Sequence, residues 1–358
     1  MSVVAGLVIG AGGPREAGPD GTGGEPAEAA AGELPLSRAV GQLLVMSYDG
    51  TAPPEYIRRR LRRGEGTGAI LFAKNAPDPA TLTATTTTLQ RAAENGALVA
   101  TDQEGGDIRS IGFAAPEASQ GATTTPDAAA RAATDAARAL GAAGINVNLA
   151  PVADVASGPA SVVAGRAYGS AEQDVPALVA ASVRAHEQER VAATVKHFPG
   201  LGAAGANTDD EPVTIPSSRD QLEESDLPAF RAAIEADVPL VMSSHALYPA
   251  LDESEIASQS NAVLEDLLRG ELGFRGAVVT DSIEAQAVLA RSGVAEAAVR
   301  SVEAGADLVL MTGSDSWNLV YPALLGRAER NPAFAGRVRE AAARVAALKR
   351  RLGLRPTG

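Results

Sequence analysis

GAVVTD, Gly276 to Asp281, is the stretch whose reading decides the fold. A strand with one wet face alternates apolar and polar residues, whereas this run is apolar throughout and stops on a carboxylate. Seven further runs have the same character: QLLVMS (Gln42 to Ser47), GAILFA (Gly68 to Ala73), ALVATD (Ala97 to Asp102), INVNLAP (Ile145 to Pro151), AATVKHF (Ala192 to Phe198), PLVMSSH (Pro239 to His245) and ADLVLMTG (Ala306 to Gly313). Continuous apolar runs of this length suit strands buried on both faces. Between them lie stretches of helical period, such as TLTATTTTLQRAAEN, PDAAARAATDAARALGAAG and SRDQLEESDLPAFRAAIEAD, the last with Ser218 placed as an N-cap. Eight strand–helix units joined by right-handed crossovers predict an α/β fold, a single-domain (β/α)8 TIM-type barrel. A doubly wound open sheet is the structural alternative.

Polar residues fall where the apolar runs stop. Asp102 and Gln103, Asn148, Lys196 and His197, Ser244 and His245, and Asp281 each end or follow a run. Barrels carry their reacting groups at the C-terminal ends of their strands, so this placement supports the barrel and marks the candidate site.

Composition narrows the function. The chain has 358 residues, a formal net charge of −13, no Cys and 3 His. An acidic chain does not suit a nucleic-acid partner, which calls for clustered Lys and Arg. The dense basic run RRRLRRG (Arg58 to Gly64) reads as a solvated helix face. Without Cys there are no disulfides or thiolate metal sites, and no His spacing suggests zinc, so neither a metal nor a cofactor is expected. Aromatics make up 3% of residues, which favours one small subsite over a long stacking groove. No redox motif or phosphate loop is present. The N-terminus opens with apolar SVVAGLVIGAGG (Ser2 to Gly13), followed by the Gly-, Pro-, Ala- and Glu-rich segment Pro14 to Glu33. Residues 1–34 read as an apolar start with a disordered linker, and 35–355 as the barrel. The start is too short to span a bilayer. It lacks a basic n-region, so a cytoplasmic chain and one exported to the cell envelope both remain open.

Five side chains are candidates for the chemistry from their positions alone. Asp281, leaving a buried strand, is either a nucleophile or a cap for a helix beginning near Glu284. Asp102, in TDQEGG, can accept from adjacent sugar hydroxyls, with two glycines allowing a sharp turn; Glu104 reads as structural. Lys196 and His197 stand side by side, so both face one ligand only if the strand end is irregular. Arg166, in AGRAYG, is either a substrate contact or a loop brace. His245 reads as loop support, and His186, in a helical stretch, as outside the site.

Taken together, GQLLVMSYDG, GAILFAKN, TDQEGG, GINVNLAPVADV, GRAYG, KHFPG, VMSSHALYPALD, ELGFRGAVVTDS and AGADLVLM resemble glycoside hydrolase family 3, in its single-domain β-N-acetylhexosaminidase branch. They run in the family's order across roughly residues 38 to 312. The resemblance implies a retaining glycosidase in which Asp281 forms a covalent glycosyl intermediate and Asp102, Arg166, Lys196 and His197 hold a terminal N-acetylglucosamine. It also implies a carbohydrate substrate such as a muropeptide fragment or chitin-derived sugar, and a role in cell wall recycling. A monomer is expected.

The sequence departs from the family in two places. Where the branch carries an Asp-x-His dyad with the acid/base His, this chain reads Asn207-Thr208-Asp209, and Leu201 replaces the His that follows KHFPG. The two Arg positions after TDQEGG are Asp107 and Ser110, with Arg109 adjacent. Three readings follow. Asp209, or alternatively Asp210 or Glu211, supplies the acid with a raised pKa; or the site binds a sugar and turns it over weakly or not at all; or the sugar preference has changed toward a β-glucosidase.

Overall fold

A computed structural model describes residues 34–169 and 174–355. The expected N-terminal tail, 1–34, lies outside the described residues except for its last position. Strands β1 (Leu44–Met46), β2 (Gly68–Ile70), β3 (Leu98–Thr101), β4 (Gln103–Gly105), β5 (Ile108–Arg109), β6 (Val147–Asn148), β7 (Ala192–Phe198), β8 (Leu240–Ser243), β9 (Ala277–Ser282) and β10 (Leu308–Leu310) follow in chain order. Eight of them close a parallel barrel in the order β1-β10-β9-β8-β7-β6-β3-β2, and each falls within one of the eight apolar runs except that β9 extends one residue further, to Ser282. The exception to the simple pattern is a small antiparallel hairpin, β4–β5, formed from the segment read as a turn after Asp102.

The continuous apolar character of the strands has a direct cause. Val45, Ile70, Leu98, Ala100, Val147, Leu149, Leu240, Met242, Val279, Leu308 and Leu310 fill the barrel interior. The residues between them, such as Leu44, Ala69, Val99, Val195, Val241, Val278 and Val309, pack outward against the helices. Both faces of every strand are therefore dry. No described helix is long and apolar enough to cross a membrane.

The helices follow their local signals. Pro79–Ala92 and Pro126–Ala142 begin with Pro in the first turn and N-caps from Asp78 and Thr125. Ser218 caps Arg219–Ser225 in a capping box with Gln221, as expected. That stretch is two helices rather than one, because Pro228 stands in the first turn of a second helix, Leu227–Glu235. The basic run is not wholly solvated: Arg60 is buried, with its guanidinium 3.8 Å from the Trp317 ring centroid.

One ionic cluster ties the base of the barrel to the C-terminal helix Pro332–Arg351. Asp307, fully buried just before β10, accepts from Arg269 at 2.7 Å, Arg337 at 2.6 Å, Arg344 at 3.2 Å and the Val278 N–H at 2.9 Å. Removing one partner of such a cluster leaves uncompensated buried charge. Asp307→Ala is expected to destabilise the fold by about 3–5 kcal/mol, read by urea denaturation, and Asp307→Asn to recover little of it, because a neutral amide also leaves the arginines uncompensated.

Candidate active site

The cavity at the C-terminal ends of the strands has a volume of about 490 Å³. It brings together all six candidates: Asp102, Arg166, Lys196, His197, Asp209 and Asp281. Ile70, Leu149, Met242 and Leu310 contribute its apolar lining. Two conditions set by the sequence decide how these side chains converge.

The first condition is an irregular strand end at Lys196-His197. The register between β7 and β8 shifts between Val195 and Phe198, and the Lys196–His197 peptide bond is cis. Both side chains line the cavity and both are buried. The Lys196 ammonium lies 2.8 Å from Asp102 Oδ1 and 2.7 Å from Glu104 Oε1. Burial disfavours its charge, yet the Asp102 and Glu104 carboxylates outweigh that and push its pKa up to about 12.

His197 is oriented by a residue that the sequence reading did not single out. Asp154 is fully buried three residues beyond the INVNLAP run. Its Oδ2 accepts from His197 Nδ1 at 2.7 Å, and its Oδ1 accepts from the His197 N–H at 3.0 Å and the Leu201 N–H at 2.7 Å. The opposite ring nitrogen, Nε2, faces Asp281 Oδ2 at 3.8 Å. The signal was present in PVADV: an acid among small apolar residues next to a strand end must be bonded to remain there.

The second condition is closure of the loop after KHFPG. The Gln286 N–H donates to Asp209 O at 3.1 Å and the Ala287 N–H to Thr208 O at 3.0 Å. The loop is thereby fastened to the segment that follows β9, and Asp209 reaches the cavity that holds Asp281. Gly202 is required for the approach, since a Cβ there would lie 1.8 Å from Val155 O. Of the three consecutive acids, Asp209 lines the cavity and Asp210 and Glu211 do not. Asn207 caps this turn, accepting from the Asp209 N–H at 3.1 Å and donating to Asp209 Oδ2 at 3.4 Å.

Environment pushes the two facing carboxyls apart. Asp209 is exposed at the mouth, but partial desolvation and the Asp281 charge raise its pKa above the ordinary carboxylate value. For Asp281 burial acts in the raising direction, but His197, His245, Lys196 and the Ser282 N–H, which donates at 2.7 Å, together hold its pKa below the ordinary value. Asp281 does not cap a helix: the next one is Gln286–Leu289, and it has no side-chain cap.

The remaining histidines are supports. His245 Nε2 donates to Ser282 O at 2.9 Å and its Nδ1 accepts from Ser258 Oγ at 2.7 Å, which fixes the backbone beside Asp281. His186 is outside the cavity, as expected. It is nevertheless buried, with Nε2 3.0 Å from Asn148 Nδ2, and Asn148 in turn bonds the backbone of Gln103. Asp107, Arg109 and Ser110 line the other side of the cavity, with the Arg109 guanidinium donating to Gly112 O.

A barrel that gathers two carboxyls of opposite pKa bias with several charged side chains in one small mouth has the makings of a glycosidase site. Sequence and structure comparisons agree. Residues 36–348 match the Glycosyl hydrolase family 3 N terminal domain. An uncharacterized secreted glycosyl hydrolase of Arthroderma benhamiae is 36% identical over 295 residues, covering 79% of this chain and 84% of that protein. A beta-hexosaminidase of Stenotrophomonas maltophilia is 31% identical over 311 residues, covering 82% of this chain and 90% of that protein. Among solved structures, the glycoside hydrolase family 3 beta-N-acetylglucosaminidase of Paenibacillus sp. superposes with a TM-score of 0.84 at 35% identity, over 89% of this chain and 63% of that one. The chain belongs to glycosyl hydrolase family 3, and it is a glycosidase acting on carbohydrate.

The Asp154–His197 contact yields a test. Asp154→Asn preserves size but turns a donor toward His197 Nδ1, so the ring loses its fixed orientation. Activity on an aryl glycoside is expected to fall on the order of 100-fold, read as kcat/KM.

Proposed function

We propose that this chain is a retaining β-N-acetylhexosaminidase-type glycoside hydrolase that releases terminal non-reducing N-acetylglucosamine. Asp281 is the nucleophile and Asp209 the acid/base. The observation that carries the reading is the placement of Asp209 in the same cavity as Asp281, with the two pKa values displaced in opposite directions. Similarity to proteins named beta-hexosaminidase and beta-N-acetylglucosaminidase supports the choice of sugar.

In the first step the Asp281 carboxylate attacks the anomeric carbon. The bond from that carbon to the leaving oxygen breaks, and protonated Asp209 delivers its proton to that oxygen. In the second step ionised Asp209 takes a proton from water as the water oxygen attacks the same carbon, and Asp281 departs as a carboxylate. Asp102, Arg166, Lys196 and His197 hold the sugar hydroxyls throughout. A second reading, a β-glucosidase of changed sugar preference, is favoured by one observation: Arg109 is tethered to Gly112 O in its own loop.

The assay compares aryl N-acetyl-β-glucosaminides with aryl β-glucosides, each with an activated and a poor leaving group. Asp281→Ala is expected to remove cleavage of every substrate. Asp209→Ala is expected to lose about 10²–10⁴-fold on the poor leaving group and little on the activated one in the first step. Equal loss on both would remove Asp209 from the acid role, and faster cleavage of glucosides would favour the second reading.

The pH profile is a separate test. Asp209 works protonated, and its pKa is raised, so kcat/KM on the poor leaving group falls as pH rises through that value. Asp281 works ionised, and its pKa is lowered, so the acid limb lies below the ordinary carboxylate range. Asp209→Asn is expected to abolish the alkaline limb and leave the acid limb in place.

A further inference from the structure

Glu104 pairs with two of the six candidates, Arg166 and Lys196, yet it does not line the cavity. Its side chain is 1% exposed. Oε1 lies 2.7 Å from the Lys196 ammonium and 2.7 Å from Arg166 Nη2, and Oε2 accepts from Arg166 Nε at 3.0 Å. The contact with Arg166 is the bidentate fork that fixes a guanidinium in its plane. Behind Glu104 is a void of about 20 Å³ lined in part by Tyr168, Ser182 and His186. In front of it stand two of the cations that face the substrate.

We infer that Glu104 is a positioning residue: one buried carboxylate that holds both Arg166 and Lys196 charged and aimed into the sugar cavity. The inference rests on the sugar-binding site proposed above and adds a determinant of its affinity. Both oxygens of Glu104 are used on cations, and the side chain is buried and does not line the cavity, so it serves the cations and not the substrate directly. A buried ion cluster is a poor device for stability, because desolvation offsets most of its attraction. Its geometric effect is larger. Arg166 is gripped along its Nε–Nη2 edge, which leaves Nη1 and the open side of the fork for a ligand. Lys196 is anchored on two carboxylates, Asp102 and Glu104, with its third proton free of both.

The charges close. Asp102 and Glu104 balance Lys196 and Arg166. The other charged or titratable groups that face Lys196 are His197 on its own strand and Asp281 across the cavity. Burial acts to raise Glu104, but Lys196 and Arg166 reverse this and hold it down at about 2. Without Glu104, burial and the neighbouring Arg166 act on Lys196 against Asp102 and the more distant Asp281. A glutamine at this position cannot substitute, since its amide turns donors toward donors. An aspartate keeps the charge but falls one methylene short of spanning both cations.

The experiment is steady-state kinetics across pH for the wild type, Glu104→Gln, Glu104→Asp, Lys196→Met and the double variant Glu104→Gln/Lys196→Met. The substrate is whichever aryl glycoside the wild type cleaves. If it cleaves none, dissociation constants for N-acetylglucosamine and glucose replace KM, so failure of the proposed activity leaves this test intact. Glu104→Gln is expected to raise KM at least about tenfold, with a smaller fall in kcat, because binding lost equally before and during reaction shows in KM. It also adds an alkaline limb, as Lys196 loses its proton at a lower pH than in the wild type. Glu104→Asp gives an intermediate KM, and it carries the test if Glu104→Gln does not fold. The double variant falls short of the product of the single effects, as coupled neighbours do. The inference is overturned if Glu104→Gln or Glu104→Asp loses thermal stability while KM and the pH profile match the wild type. It is equally overturned if the effects at Glu104 and Lys196 multiply independently.

Discussion

Placing a charge at the end of a strand buried on both faces is expensive unless another group compensates it, and this constraint organises both ends of the barrel. At the base, Asp307 carries three arginines. At the mouth, Lys196 is matched by Asp102 and Glu104, and His197 by Asp154. Each compensation also fixes an orientation, since a charge in a low-dielectric site is stable only in the geometry that neutralises it. The same contacts that make the mouth tolerable therefore aim its side chains at one volume.

Asp281 and Asp209, the two carboxyls with displaced pKa values in the cavity, lack a direct cationic side-chain grip of this kind. Asp281 has an imidazole at 3.8 Å and a backbone donor at 2.7 Å, and Asp209 has an asparagine. Their protonation therefore depends on each other and on longer-range charges. The arrangement resolves the difficulty of placing two acids in one cavity. The cationic side of the mouth favours ionised Asp281, and ionised Asp281 in turn favours protonated Asp209. On the proposed reading, one carboxyl is biased to attack and the other to donate, the division of labour a retaining glycosidase requires.

The fold was legible because burial on both faces leaves a signature that any chain of this class must carry: apolar runs that stop abruptly at polar residues. All eight barrel strands coincide with such runs, β9 running one residue past its own. The candidate site was legible to the extent that its residues sit at those stopping points. What stayed hidden depended on pairing across the chain. Asp154 acquires its meaning from His197, 43 residues away, and Glu104 from Arg166, 62 residues away. Neither separation has a local pattern. The β4–β5 hairpin was hidden for another reason: two glycines with positive φ, Gly105 and Gly106, read equally well as an ordinary turn. The split at Asp226 was visible in Pro228, but helical periodicity on either side of it obscured the break.

The loop that carries Asp209 explains how a site of this family can hold an acid in place of a histidine and keep its shape. Its fastening is main-chain: Gln286 N–H to Asp209 O, Ala287 N–H to Thr208 O, Ser157 N–H to Gly202 O and Val162 N–H to Ala204 O. None of these bonds uses the side chain at position 209, whose own contact is with Asn207 two residues earlier. Backbone bonds are indifferent to which side chain they deliver, provided Gly202 remains small enough for the loop to approach Val155. The place of position 209 in the cavity that holds Asp281 is thus specified by the fold, whereas the side chain delivered there is specified by residues 207 and 209. A change from imidazole to carboxyl requires no rebuilding of the loop. It requires an environment that favours the protonated form of the new acid, and Asp281, the proposed nucleophile, contributes to that environment.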